Sequence, residues 1–232
     1  MASWKKFTAI AALLSVVVGL TGCGASPTTK IFEAFEKASS AEVNVTAALE
    51  TLKTLEDKDE KQYINILDQG KQDNRNVQTL IDNTNKALEE RKQAIEQVKV
   101  HLDDARSQMG ELDKAIAKLK DEELKKQAEQ AYTAYVKRYD TFKALHEKYG
   151  QWLEREQFIY DELKSQNTKL KSITTGISER NEVYRQVEEL KTQFNDYTTQ
   201  FNTLKSTFYK GAGLQVTNTE ANQDDNAEQQ EG

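Results

Sequence analysis

The sequence predicts an all-α fold, an elongated antiparallel up-and-down bundle of about four long helices. Three observations predict it. The only proline in 232 residues is Pro27, at the very start of the helical region. The chain beyond it is rich in Glu, Lys, Gln, Leu and Ala, which are good helix formers. Apolar residues recur in alternating steps of three and four, as in packed helices, and no run alternates apolar and polar residues as a half-buried strand would.

Four segments carry this heptad spacing, and short turns are predicted between them. We expect turns near residues 68–74, at 120–122 and near 172–178, where Thr and Gly weaken the helix. Because connections this short make neighbouring helices antiparallel, both ends of the bundle sequence and the 120–122 turn share one end of the molecule. Representative core positions are Ile31, Phe35, Leu49, Leu52, Ile81, Leu88, Ile95, Leu102, Leu112, Tyr135, Phe142, Tyr149, Trp152, Leu163, Leu170, Val187, Phe194, Phe201 and Phe208.

The segment lengths predict a rod. At 1.5 Å per residue, the second and third helices would each span roughly 70 Å. The fourth helix is expected to begin near Val183 and to be several turns shorter. Residues 124–139 of the third helix would then be covered by only two partners.

The N-terminus has the pattern of a bacterial lipoprotein signal. Lys5 and Lys6 precede an apolar run over residues 7–20, which is too short for an ordinary spanning helix. The run ends in Leu20, Thr21, Gly22 and Cys23, which resembles the lipobox that a dedicated peptidase cuts before the cysteine. Cleavage between Gly22 and Cys23 would leave Cys23 as the lipid attachment residue, with acyl chains that hold the protein at a membrane. The alternative is a free cysteine within an ordinary signal peptide or membrane anchor.

The predicted organisation is therefore a signal peptide over residues 1–22, a lipidated tether over 23–29, a helical bundle over 30–210 and an acidic disordered tail over 211–232. Loss of residues 1–22 removes two lysines and no acidic residue, so the formal charge falls from −6 to −8. This charge argues against nucleic acid as a partner. Because Cys23 is the only cysteine, its acylation leaves no thiol for a disulfide, a nucleophile or a metal.

Charged residues inside the heptad pattern predict buried ion pairs, since a lone buried charge costs several kcal/mol. The turn geometry places Arg91 near Glu156 and Arg138 near Glu42. One interpretation is that these pairs set the register of the helices. The other is that each side chain extends to solvent at the edge of the core.

The third helix is rich in aromatic residues, most of which have core spacing. Tyr132 and Tyr139 lie outside that spacing, in the part of the third helix that the fourth helix is expected to leave uncovered, and they are the candidate partner surface. No catalytic, metal or cofactor motif is recognisable: His101 and His146 lack the Glu-x-x-His spacing of di-iron bundles, and no Gly-rich phosphate loop, G-x-S-x-G or H-E-x-x-H occurs. We expect no enzyme activity and no cofactor.

Essentially the whole mature chain, except the acidic tail, resembles the YkyA-like lipoproteins of Gram-positive bacteria, to which cell-wall binding is ascribed. The likeness is clearest in RYDTFKALHEKYGQWL, residues 138–153, and in the C-terminal pattern of residues 181–214, which includes Asn181, Tyr184 and Phe194. KDEELKKQA, residues 120–128, matches the central turn of the family. The resemblance implies a helical bundle, a lipid anchor on the outer face of the cytoplasmic membrane and an association with the wall, and it carries no catalytic residue.

The sequence thus predicts a non-enzymatic lipoprotein on the extracytoplasmic face of the cell membrane, acting as a helical binding or spacer module. Peptidoglycan or an envelope protein is the expected partner. The alternative is a helical lipoprotein that acts as an adaptor or binds a small ligand, which would need a polar cavity inside the bundle. The oligomeric state stays open.

Overall fold

A computed structural model describes residues 26–69, 74–165, 167 and 169–214. These residues form six helices and no strand, which confirms the all-α prediction. The helices are α1 (Pro27–Ala41), α2 (Val43–Gln69), α3 (Asn74–Gln108), α4 (Leu112–Ile116), α5 (Glu122–Lys164) and α6 (Leu170–Gly211). None of them is long and apolar enough to cross a membrane.

The helices form four antiparallel legs of an elongated bundle. α1 and α2 follow one another along the first leg, α3 and α4 return along the second, and α5 and α6 are the third and fourth. The 43 residues of α5 give this leg a length of about 65 Å. We call the end with Ser26, α4 and Leu214 the proximal end, and the end with the turn between α5 and α6 the tip.

The interior consists of two clusters of buried side chains, one in each half of the rod. The proximal core joins α1, α4, the start of α5 and the end of α6, and it is rich in aromatic rings. Its members are Ile31, Phe32, Phe35, Ala38, Met109, Leu112, Ala115, Ile116, Leu119, Ala128, Ala131, Ala134, Tyr135, Phe201, Phe208 and Tyr209. The distal core joins α2, α3, the later part of α5 and the earlier part of α6, and it includes Leu52, Ile81, Leu102, Phe142, Tyr149, Trp152, Val187 and Phe194.

The break predicted at 120–122 falls between α4 and α5, whereas the turn predicted near 172–178 was misplaced, because α5 ends at Lys164 and α6 begins at Leu170. α2 ends at Gln69 and α3 begins at Asn74, on either side of residues 70–73, which lie outside the described part of the chain. α5 begins after Asp121, whose carboxylate accepts hydrogen bonds from the N–H groups of Glu123 and Leu124 at 3.0 and 2.9 Å. This N-cap explains why the helix starts there.

The prediction of one continuous second helix through residue 119 was wrong. α3 ends at Gln108, and Gly110 lies in a turn between Gln108 and α4. The second leg's long helix is therefore 35 residues, or about 52 Å, rather than roughly 70 Å. The break lets α4 place Leu112 and Ile116 beneath α1 in the proximal core. The first leg is also divided, because Glu42 separates α1 from α2.

The prediction of a short fourth helix was wrong as well. α6 has 42 residues and begins at Leu170, so Thr174, Thr175 and Gly176 lie inside it. At its other end, Gly211 packs so closely on the side chain of Gln127 that a Cβ there would overlap it. α6 therefore covers α5 along nearly its whole length, including residues 124–139. A glycine within a helix costs about 1 kcal/mol, which tertiary packing readily offsets.

Both ends of the bundle differ slightly from the predicted boundaries. α1 begins at Pro27, with Ser26 as its N-cap, so three residues assigned to the tether are helical. Pro at the first helical position and a serine cap are favourable there. At the other end, Gly211 belongs to α6 and Leu214 packs against the proximal core. Residues 1–25 and 215–232, including the predicted signal peptide and most of the acidic tail, lie outside the described residues.

Candidate functional site

A buried arginine joins three helices in the distal half of the rod. Arg91, on α3, is fully buried. Its Nη1 donates to Oδ2 of Asp59 on α2 at 2.7 Å and to Oε2 of Glu156 on α5 at 2.6 Å. Its Nε donates to the hydroxyl of Tyr149 at 3.1 Å. The structure therefore brings the predicted Arg91 and Glu156 together, and adds Asp59 as a second carboxylate.

The fourth helix completes this network. Arg180, on α6, donates from Nη2 and Nε to Oε1 of Glu156 at 2.5 and 3.0 Å. Each oxygen of the Glu156 carboxylate thus accepts from a different arginine. The guanidinium of Arg91 also lies over the ring of Trp152, 4.2 Å from its centroid, which adds a cation–π contact. We call Asp59, Arg91, Glu156 and Arg180 the charged layer, because one member comes from each of the four legs.

A second set of charges lies beside this layer. The Nζ of Lys191, which is almost fully buried, lies 3.0 Å from a carboxylate oxygen of Glu56 and 3.0 Å from one of Glu188. These contacts link α6 to α2 and also act within α6. Buried charges arranged this way need one another, because removal of any one leaves its partners unpaired.

The layer is too closely packed to serve as a ligand cavity. A void lined by Glu156, Tyr160 and Arg180 has a volume of only about 20 Å³, close to the space of a single water molecule. Burial raises the pKa of Asp59 to about 6, although Arg91 lowers it. This arrangement can hold four helices in one register, whereas a small-ligand site would require a larger cavity.

The second predicted pair lies between the two cores. Nη1 of Arg138, on α5, donates to Oε1 of Glu42 at 2.5 Å, and its Nε donates to Oγ1 of Thr198 at 2.8 Å. The guanidinium lies 4.8 Å from the ring centroid of Phe194. Glu42 occupies the break between α1 and α2, so a carboxylate at the junction of two helices is fixed to α5.

Tyr132 and Tyr139 do not occupy the site expected for them. Both are half-buried, and their hydroxyl groups engage α3. The hydroxyl of Tyr132 accepts from Nη2 of Arg106 at 3.2 Å, and that of Tyr139 donates to Oδ1 of Asp103 at 2.7 Å. This hydrogen bond to Asp103 raises the pKa of Tyr139 to about 12. These hydrogen bonds link α5 to α3, while part of each ring stays exposed.

Sequence reasoning did not assign Arg180 to the network, although a signal was present. The prediction began the fourth helix near Val183, and Arg180 lies three residues before it. Extending the same three-and-four spacing backwards from Val183 reaches Arg180, Gly176 and Ile173 in turn. The same spacing would therefore have placed Arg180, which is half-buried, beside the charged layer if the fourth helix had been started at Leu170.

Two open grooves lie at opposite ends of the rod. The proximal groove, between α1 and α4, has a volume of about 310 Å³ and is lined by residues that include Lys30, Glu111, Leu112 and Lys118. The tip groove, between α5 and α6, has a volume of about 370 Å³. It is lined by Phe158, Lys169, Lys171, Ser172, Thr175, Gly176 and Glu179.

Gly22 and Cys23, the predicted cleavage and lipid attachment residues, lie outside the described residues, four and three positions before Ser26 respectively. Within the described residues, no group of three or more His, Cys, Asp or Glu side chains is arranged to hold a metal ion. His146 lies 2.6 Å from Glu96 through its Nε2, as a surface pair between α5 and α3.

Comparison with known proteins identifies the family. The family model of YkyA, described as "Putative cell-wall binding lipoprotein", matches residues 26–211, which include all six helices. The "Uncharacterized lipoprotein YkyA" of Bacillus subtilis (strain 168) is 26% identical over 211 residues, which cover 89% of this chain and 93% of the relative. No solved structure matches the chain. The chain therefore belongs to the YkyA family of lipoproteins.

Proposed function

We propose that this protein is a non-enzymatic lipoprotein that is anchored by Cys23 to the outer face of the cytoplasmic membrane and contacts the cell wall with the far end of its bundle. The observation that carries the proposal is the polarity of the rod. The described chain begins at the proximal end, at Ser26, only three residues after Cys23. α5 and α6 then extend to a tip about 65 Å away.

The interior of the bundle supports a mechanical role over small-ligand binding. Large apolar side chains and the charged layer fill the distal core, and the void beside the layer holds little more than one water molecule. A ligand inside the bundle would have to displace these groups. A large partner can bind the outer surface without entering the closed interior. The description of the family as "Putative cell-wall binding lipoprotein" agrees with such a partner.

The anchor is tested by fractionation of the host cell. With Cys23→Ser, the acyl chains have no attachment point, so we expect the protein to leave the membrane fraction or to remain as an unprocessed precursor. Gly24→Ala, which keeps the cysteine, is the matched control and should fractionate with membranes as mature protein. Mature Cys23→Ser protein in the membrane fraction would contradict the lipid anchor.

Wall contact is tested by sedimentation of the purified mature protein with insoluble peptidoglycan. We expect the protein to co-sediment in a saturable manner, whereas a helical lipoprotein from outside the family should stay in the supernatant. Retention by an envelope-protein extract, together with no retention by peptidoglycan, would support the adaptor role instead and would contradict direct wall binding.

A further inference from the structure

The tip of the rod exposes apolar side chains that the heptad pattern assigns to the core. Leu163 and Leu170 continue the pattern, yet they are 39% and 76% exposed, and Phe158 is 40% exposed. These residues belong to the last turns of α5 and the first turn of α6, where the two helices meet. Large exposed apolar groups that gather at one place commonly mark a contact surface.

Gly176 shapes the tip groove around Phe158. It is buried in α6, and a Cβ built on it would lie 3.0 Å from Cε1 of Phe158. The absence of a side chain lets the phenyl ring lie against the α6 backbone while part of the ring remains exposed. Ser172 and Thr175, on the same stretch of α6, line the groove with hydroxyl groups.

The groove is also locally basic in an acidic protein. Residues 164–178 contain three lysines and no Asp or Glu, whereas the whole chain has a formal charge of −6. Glu179 lines the groove, and its carboxylate lies 3.0 Å from Nη1 of Arg155, which balances its charge. Lys169 and Lys171 are exposed, and no described acidic residue forms an ion pair with either. The groove therefore complements an anion next to an apolar surface.

We propose that the tip groove binds peptidoglycan, through an amino-sugar ring and a neighbouring stem-peptide carboxylate. This inference rests on the proposed function and names the surface that would perform it. The apolar face of a sugar ring would pack on Phe158. Ser172 and Thr175 would form hydrogen bonds with hydroxyl and acetamido groups, and Lys169 and Lys171 would pair with the carboxylate.

The size and place of the groove fit this partner. A volume of about 370 Å³ lies at the lower end of the range for binding sites, which is about 300–1,000 Å³. It admits a short segment of a glycan strand, and its open shape lets the strand continue on either side. An anionic polyol phosphate could pair with the lysines, but it has no ring to pack on Phe158, so the observations favour peptidoglycan.

The test measures sedimentation of the mature lipoprotein with peptidoglycan from which teichoic acid has been removed. The double variant Lys169→Glu and Lys171→Glu should weaken binding at least tenfold, and Phe158→Ser about fivefold. Both charge reversals lie at the N-terminus of α6, where acidic residues favour the helix, so the fold should be retained. Circular dichroism checks that the fold is retained. The double variant Lys169→Arg and Lys171→Arg, which keeps both positive charges, should bind as well as the unaltered protein.

The double variant Lys118→Glu and Lys120→Glu is the matched control, because it makes the same change in charge at exposed positions of the proximal end. It should bind within twofold of the unaltered protein. If the tip variants bind as well as the unaltered protein, the proposal that the tip groove is the binding surface is overturned, while wall binding itself is retained. Binding only to walls that retain teichoic acid would overturn the choice of peptidoglycan. If the unaltered protein binds neither purified peptidoglycan nor walls that retain teichoic acid, the proposal of wall binding itself is overturned.

Discussion

The two halves of this rod differ in how deeply their charged groups are buried, since Lys205 and Glu36 pair half-buried beside the proximal core. The proximal core is apolar and aromatic, with Phe35 and Phe201 in an edge-on contact whose ring centroids are 5.6 Å apart. The distal core surrounds Arg91 and Glu156, which are almost completely buried. An apolar core stabilises many alternative packings, whereas paired buried charges are satisfied in one arrangement. We infer that the proximal core supplies general stability, whereas the charged layer fixes which side chains meet in the distal half.

The strongest way to break the distal half is to remove the arginine at its centre. Arg91→Ala should lower the free energy of unfolding by about 3–5 kcal/mol, because it leaves Asp59 without its ion-pair partner and Glu156 paired only to Arg180. Urea denaturation followed by circular dichroism measures the loss. Arg185→Ala, which removes only exposed ion pairs, is the control and should cost less than about 1 kcal/mol. Equal losses in the two variants would contradict the role of the charged layer.

The contribution of apolar packing to the proximal half is tested by removing a buried aromatic ring, which leaves a cavity and changes no charge. Phe208 is fully buried and contacts the ring of Phe35 at a centroid distance of 6.1 Å. Phe208→Ala should cost about 3 kcal/mol, from the lost apolar contact and the cavity left behind. Because no charge is exposed or unpaired, this loss should be nearly the same at low and high salt. A strong dependence on salt would contradict an apolar origin.

The junction between the halves should show a smaller, pairwise energy. A double-mutant cycle with Glu42→Gln and Arg138→Met measures the coupling of the two side chains, which meet at 2.5 Å. We expect a coupling of about 1–2 kcal/mol, within the range for residues in direct contact. Lys53 and Asp57, an exposed pair within α2, provide the control cycle and should couple by about 0.5 kcal/mol or less. Additive losses at Glu42 and Arg138 would show that the junction is not held by this pair.

The smallest expected effect is a dependence of the free energy of unfolding on pH, which arises from Asp59 in the distal half. Burial raises the pKa of Asp59 to about 6, above its ordinary value of 3.8, so the folded state binds a proton more tightly than the unfolded state. Asp59 therefore contributes stability below pH 4 that is lost as the pH rises through 6. Relative to Asp59→Asn, the protein should be about 1 kcal/mol more stable at pH 5 than at pH 7.5. The opposite sign would show that attraction to Arg91 outweighs burial.

The fold class and much of the core were predictable from the sequence, because heptad spacing reports burial directly. Ile31, Leu52, Ile95, Phe142 and Phe208 were all assigned to the core and are buried. The ion-pair partners followed as well, since short turns between antiparallel helices fix which positions lie opposite one another.

The ends of the helices were harder to predict. Thr174, Thr175 and Gly176 indicate a turn by local propensity, yet they lie inside α6 because packing on α5 outweighs that preference. The exposure of the tip was missed for a related reason: Leu163 and Leu170 continue the spacing of buried residues, yet they are exposed because none of the described helices covers them. The spacing of apolar residues in one helix does not show where the neighbouring helices end.

We propose that one end of the rod is held at the membrane while the tip stands away from it. Lipidated protein in vesicles can be labelled at a single introduced thiol, Asn167→Cys at the tip or Lys118→Cys at the proximal end, because Cys23 is the only native cysteine. Energy transfer to a dye in the bilayer then reports the height of each label. We predict efficient transfer from position 118 and little from position 167, since the labels are separated by about the 65 Å length of α5. Equal transfer from both positions would mean that the rod lies along the membrane, and would contradict the account.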